Sequence, residues 1–263
     1  MTLCIAWRNE DTVHYFSDSR LKTAENSYAD VGIKVLTLPV KIYSPSDEKG
    51  EKQLFHTLEI GMCFAGSAVN SLTLKESLVE LLENLQHVPG YTNFSMDGLA
   101  KFIFSAYRSI SKAVCATSIG RNGTACIMFS GMCPHEDRIR SYILETDASN
   151  CHSYKEILTS NGALEVIGSG KSQAEAALKT KTLSKIALLD TLDTIIQDQK
   201  NDSVGGPIQY GYFVGSTFKC CGVAVIESGT VHYWRGGLDI NSSEFLGDQE
   251  NFIPNFCFLD IIK

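Results

Sequence analysis

Residues 1–20 read MTLCIAWRNEDTVHYFSDSR, and the fold turns on how that stretch pairs with itself. Residues 2–8 and 12–19 are two β-rich runs, and Asn9-Glu10-Asp11 between them is a polar turn. A chain end is ordinarily a frayed place. Here Thr2 reads as the first residue of a buried strand, with no leader ahead of it. An antiparallel hairpin with Glu10 at its apex sets Thr2 across from Asp18. Directly opposed side chains sit close together on one face of a sheet. Both groups then lie at a sheet rim, where a cleft can form. Lys34 follows on the next strand, beyond a polar loop whose turn chemistry does not fix its position.

Those three residue types suit one chemistry. Thr2 is small enough for ordinary methionine removal, which would leave it with a free α-amine. An unperturbed α-amine titrates near pH 8, so it accepts a proton close to neutrality. The residue then supplies both nucleophile and general base. A Lys34 ammonium nearby would favour the neutral amine, and Asp18 would orient the lysine. The plainer alternative is an ion pair bracing a strand end, with Thr2 as β-branched strand filler.

Bulk composition narrows the field. The chain has 263 residues, 44% of them hydrophobic, which suffices for a sizeable core. The formal net charge of −7 and the absence of a basic block argue against nucleic acid and anionic membranes as partners. No apolar stretch is long enough to span a bilayer, and no secretory signal is present. The 9 cysteines are irregularly spaced and several sit in apolar runs, so reduced buried thiols in a cytoplasmic protein are expected.

Along the chain, a third strand is expected at 33–39 and a surface excursion at 40–54. A strand follows at 55–66, then a helix at 67–85 with Leu72, Leu74, Leu78, Leu81 and Leu82 as its apolar stripe and Ser71 and Glu76 near its front. A second helix is expected at 96–114. Strands resume at 124–132, 138–146 and 163–170, and 172–200 reads as two helices. Strands close the chain at 208–215, 218–228, 230–237 and 256–262. Helices thus come in pairs between groups of strands. That order predicts an α+β fold with antiparallel sheets and layered helices, without internal repeats or a domain-splitting linker.

The run SDSRLKTAENSYADVGIKVLTL, following MTLCIAW, resembles the start of proteasome β-subunits and their bacterial relatives, members of the N-terminal nucleophile (Ntn) hydrolase superfamily. Thr2, Asp18 and Lys34 match that family's nucleophile, aspartate and lysine. IGMCFAGSAVNS resembles the strand leading to the family's first helix, which would make the Gly66 N–H the oxyanion-hole donor. ALEVIGSGKSQAEAAL resembles a later strand, turn and helix, and places Ser169 beside the nucleophile. NDSVGGPIQYGYF resembles a late supporting element, but Asn201 and Val204 stand where an aspartate and a serine are expected. Asp202 and Ser203 would substitute for them with a shift in register.

The resemblance implies a four-layer αββα sandwich with two antiparallel sheets over residues 2–235. The 40–54 insertion and a C-terminal extension, 236–263, packed on the same domain, would be additions. It implies a threonine-type peptidase acting on peptide or unfolded protein inside a homo-oligomeric ring, with an ATP-dependent unfoldase as a partner by family habit. Leu21, Leu36 and Phe64 would lie near the pocket for the substrate side chain. A catalytically silent ring scaffold and an amidase for a non-peptide amide are the alternatives.

Other motifs carry less. Cys133-Pro-His135 and Cys151-His152 do not form a four-ligand zinc pattern, so no metal is expected, and no cofactor motif stands out. Gly168-Ser169-Gly170-Lys171-Ser172 lacks phosphate-loop spacing. Cys220 and Cys221 should face opposite ways on a strand, one into the core and one to the surface. The acidic group Asp47, Glu48 and Glu51 reads as solvated surface.

Overall fold

The computed structural model describes residues 2–24, 27–45, 50–117, 120–147, 149–198, 202–227, 229–240 and 242. Asp47, Glu48, Asn201, the strand expected at 256–262 and most of the 236–263 extension lie outside them.

The chain opens with β1 (Leu3–Asn9), β2 (Thr12–Ser17), β3 (Leu21–Ala24) and β4 (Ser27–Ala29). Next come β5 (Val35–Tyr43), β6 (Leu54–Gly66), α1 (Ala68–Leu82), β7 (Leu85–Gln86) and α2 (Met96–Cys115). Four strands follow, β8 (Ala125–Cys133), β9 (Arg138–Thr146), β10 (His152–Ile157) and β11 (Leu164–Gly168). After α3 (Lys171–Leu178) and α4 (Lys185–Gln197), the strands are β12 (Gln209–Val214), β13 (Thr217–Cys221), β14 (Val223–Glu227), β15 (Thr230–Arg235) and β16 (Leu238–Asp239). The expected α+β order of strand groups and helix pairs is the observed one.

Two sheets dominate. One has the order β11-β1-β2-β12-β13, with every pairing antiparallel. The other has the order β10-β9-β8-β6-β5-β7, antiparallel except for a short parallel contact of β7 with β5. Alternation along the strands divides the core into three clusters. On β6, Met62 and Phe64 pack with Leu74 and Leu78 of α1 and Ile103 of α2, while Cys63 and Ala65 turn the other way. On β1, Leu3, Ile5 and Trp7 pack with Ala174 of α3 and Leu188 and Leu192 of α4. Cys4 and Ala6 of β1 meet Cys63, Ala65 and Met128 of the second sheet in the third cluster. Burial of these apolar faces is the main favourable contribution to folding.

Several details differ from the sequence reading. The first hairpin pairs Asn9 with Thr12 and Cys4 with Ser17, so its register is one residue off the expected one. The cause is a two-residue turn: Glu10 adopts φ +53, and its N–H donates to Asn161 Oδ1 at 2.8 Å. β5 continues to Tyr43 and β6 begins at Leu54, so the excursion is shorter than 40–54. On α1, Ser67 caps the helix by accepting from the Asn70 N–H. Ser71 is buried one turn inside, and Leu72 and Leu81 are exposed, because the stripe that meets the sheet runs through Leu74, Leu78 and Leu82. The strand expected at 218–228 is two strands in different sheets, divided at Gly222. Cys220 and Cys221 do face opposite ways, but neither is a surface residue. Cys221 joins the α3/α4 cluster and Cys220 packs against the inter-sheet cluster.

Candidate active site

Asp18 leaves the end of β2 fully buried, and Lys34, just before β5, is equally shielded from solvent. The Lys34 ammonium donates to Asp18 Oδ1 at 2.8 Å. The same oxygen accepts from the Leu3 backbone N–H at 3.0 Å. Asp18 Oδ2 accepts from the backbone N–H groups of Gly205 at 3.0 Å and Arg20 at 3.2 Å. A buried carboxylate is costly unless paired and hydrogen-bonded, and this one receives four donors.

The corrected register explains the contact with Leu3. In a hairpin with a two-residue turn, Asp18 falls opposite Leu3, one position along from Thr2. The lysine therefore communicates through one carboxylate oxygen with the peptide N–H that follows Thr2. Gln209 was not singled out in the sequence, yet it holds this corner. Its Oε1 accepts from the N–H groups of Lys34 at 2.8 Å and Val35 at 3.1 Å, and its Nε2 donates to Ser19 Oγ at 3.1 Å.

Thr2 is 2% exposed and lies at the rim, directly ahead of β1. Gly168, at the end of β11, pairs with Leu3 and has φ +101. A Cβ on Gly168 would stand 1.9 Å from the Thr2 carbonyl oxygen, so only glycine fits that approach. Ser169 Oγ donates to the same carbonyl at 3.5 Å and lies 2.6 Å from Ser203 Oγ. Ser203 therefore reaches the Thr2 corner. Asp202 does not: its carboxylate pairs with Lys22 at 2.7 Å on the surface. Val204 is buried in the α3/α4 cluster.

Gly66 ends β6 with φ +98, and a Cβ there would stand 2.6 Å from the Thr124 carbonyl oxygen. Gly66 lines a cavity of about 220 Å³, shared with Gly168, Thr124, Cys126, Glu145 and Thr146. Leu36 lines the larger cavity of about 440 Å³, with Ile33, Leu72, Gln209 and Tyr210 among its neighbours. Phe64 is buried in the helix-side cluster, and its carbonyl accepts from the Cys4 thiol at 3.0 Å. Leu21, on β3, lies against Gly32. The structure thus gathers Thr2, Asp18, Lys34, Ser169 and Ser203 at one corner. Of the three expected pocket residues, Leu36 and Phe64 share the helix-side cluster, while Leu21 lies against Gly32.

Among the described residues, no group of three or more His, Cys, Asp or Glu side chains is placed to hold a metal ion. No helix among them is long and apolar enough to cross a membrane.

No protein-family model matches the chain, and no curated protein matches it in sequence. Solved structures do share its fold, among them structures of Anbu (ancestral beta-subunit). Anbu (ancestral beta-subunit) from Yersinia bercovieri superposes with a TM-score of 0.59 at 15% identity, over 83% of this chain and 86% of that one. The helical assembly of the Anbu complex from Pseudomonas aeruginosa gives 0.59 at 14% identity, over 83% and 85%. Anbu from Hyphomicrobium sp. strain MC1 gives 0.56 at 14% identity, over 93% and 90%. At these identities the likeness is one of fold.

Proposed function

We propose that the chain is a proteasome-like N-terminal threonine hydrolase that cuts peptide bonds within a self-assembled homo-oligomer once Met1 is removed. The observation that carries this reading is the fully buried Lys34–Asp18 pair, whose shared oxygen also grips the N–H next to Thr2. A strand-bracing ion pair alone has no need of a lysine buried beside the start of the chain.

On this reading the Thr2 hydroxyl attacks the substrate carbonyl and gives its proton to the residue's own α-amine. The Lys34 ammonium stabilises the alkoxide that develops. The Gly66 N–H receives the charge on the former carbonyl oxygen, a role that a side-chain-free residue at close approach suits. Collapse of the tetrahedral intermediate breaks the C–N bond, and the protonated α-amine of Thr2 returns the proton to the departing amine. Water then attacks the ester left on Thr2, again with the α-amine as base, and restores the hydroxyl. Ser169 and Ser203 hold the Thr2 carbonyl in place.

The three core clusters support reading the architecture as a four-layer αββα sandwich. The helical assembly formed by the Anbu neighbour supports self-association. Light scattering on the purified protein tests that part, and a monomer would refute it. Hydrolysis of fluorogenic peptides by wild type, Thr2→Ala and Lys34→Ala tests the chemistry, alongside the intact mass of the natural protein. Retained Met1, or activity unchanged in both variants, would end this reading. A silent scaffold is the second reading, favoured by Val204, which takes the expected serine position into the α3/α4 core. Assembly without any Thr2-dependent hydrolysis would establish it.

A further inference from the structure

The cavity of about 220 Å³ beside Gly66 and Gly168 has a distinct chemical character. It opens between the end of β6, the start of β8 and the end of β9. Gly168 ties it to the nucleophile corner, since that residue approaches the Thr2 carbonyl directly. Ala65, Gly66, Ala125 and Gly168 present backbone or methyl groups. The chemistry on its walls comes from Thr124, Cys126, Glu145 and Thr146.

Thr146 is already engaged. Its Oγ1 lies 2.8 Å from both Tyr107 Oη and His152 Nδ1. The Cys126 thiol is neutral, because burial and the neighbouring Glu145 push its pKa upward. Glu145 supplies the carboxyl group on the cavity wall, and the Cys126 thiol donates to its Oε1 at 4.0 Å. Its closest lysine, Lys155, stands 3.9 Å away on the exposed side of β10, a loose and solvated contact. Lys171 is also in the neighbourhood of Cys126, but its ammonium is shared between Glu165 at 3.5 Å and Glu175 at 3.7 Å.

We infer that this cavity is a specificity subsite for a cationic group of a peptide substrate, with Glu145 as the residue that selects it. The inference rests on the hydrolase reading for its meaning as a subsite, but the binding it describes is measurable by itself. Peptide backbone passing the Gly66 N–H would bring a neighbouring side chain or a free amino terminus to the cavity. An ammonium there would meet the half-buried carboxylate, whereas a substrate carboxylate would be repelled. A lysine side chain and a peptide's α-ammonium share this chemistry.

Fluorescence anisotropy on the full-length Thr2→Ala protein tests the inference without turnover. The probes are labelled hexapeptides: an amino-acetylated one with a single lysine, its norleucine twin, its glutamate twin, and the norleucine peptide with a free amino terminus. The lysine or free-amine peptide should bind about three- to fivefold more tightly than the acetylated norleucine peptide at low salt. Which of the two shows the preference identifies the source of the cation. Glu145→Gln should erase the preference, and Glu145→Lys should turn it towards the glutamate peptide. High salt should shrink it. Equal binding of all peptides, no binding at all, or an unchanged preference in Glu145→Gln would overturn the inference. Peptide preference without Thr2-dependent hydrolysis in the wild type would leave the subsite standing and remove only the nucleophile.

Discussion

Lys34 and Asp18, 16 residues apart in sequence, meet at 2.8 Å with neither side chain exposed to solvent. A pair of this kind contributes through what happens when it is broken. Removing one partner leaves an uncompensated charge in the interior.

Lys34→Met should therefore lose about 3–5 kcal/mol of stability in urea denaturation. Adding Asp18→Asn to it should recover part of that loss, since neither partner then carries a charge. If peptide hydrolysis requires the ammonium, the double variant stays inactive although it folds. Recovered activity would assign the lysine a structural role alone.

Gly168→Ala brings a methyl group within 1.9 Å of the Thr2 carbonyl oxygen, so the strand end must shift. Gly162→Ala is the matched control, because Gly162 also has positive φ (+75) but open space around it. The control should cost about 1 kcal/mol, near the low end for left-handed strain. Gly168→Ala should cost clearly more in thermal unfolding and should abolish hydrolysis. Equal losses in the two variants would mean that the approach to Thr2 is not tight.

Ser203→Ala removes the hydroxyl that lies 2.6 Å from Ser169. The stability change should be about 1 kcal/mol, the usual worth of one hydrogen bond. The loss in kcat should exceed the roughly tenfold or less that this corresponds to, because Ser169, which donates to the Thr2 carbonyl, loses the neighbour that orients it. Asp202→Ala, which breaks a surface pair with Lys22, should leave kcat within about twofold of wild type, in line with the small worth of exposed pairs.

His14 gives the fold a specific acid sensitivity. It is buried among Trp7, Phe16, Tyr210 and Tyr212, with Nδ1 2.8 Å from Tyr210 Oη. Burial, and secondarily Lys185, lower its pKa from 6.5 to about 4. The unfolded chain then binds a proton that the folded one refuses. This contribution is fully present above pH 6.5 and is lost as pH falls towards 4, about 3 kcal/mol in all. Urea titrations at several pH values should show that slope in the wild type and a flatter one in His14→Phe.

Much of the corner around Thr2, Asp18 and Lys34 is readable because it is built from short-range features. The β1–β2 hairpin announces itself through apolar runs flanking a polar turn, and Asp18 stands at its end. The one-residue register error came from the turn, where Glu10 adopts a left-handed conformation that nothing in its side chain advertises. Gln209 escaped notice for a different reason. Its role exists only because β12 lies beside β2, which brings its amide to Lys34 and Ser19 across a long sequence separation. β10 was missed because His152–Ile157 is an edge strand with exposed and half-buried residues and no apolar run. Leu72 and Leu81 differ in the opposite direction: both fit an apolar helical stripe, but the sheet accommodates only the narrower row of Leu74, Leu78 and Leu82.

The four donors to Asp18 come from residues 3, 20, 34 and 205. Three are synthesised early and the last much later. A nascent chain still short of Gly205 carries Thr2 and Lys34 but not the finished cradle around the carboxylate. On the proposed reading, competence thereby waits for the arrival of Gly205, a latency written into the order of synthesis.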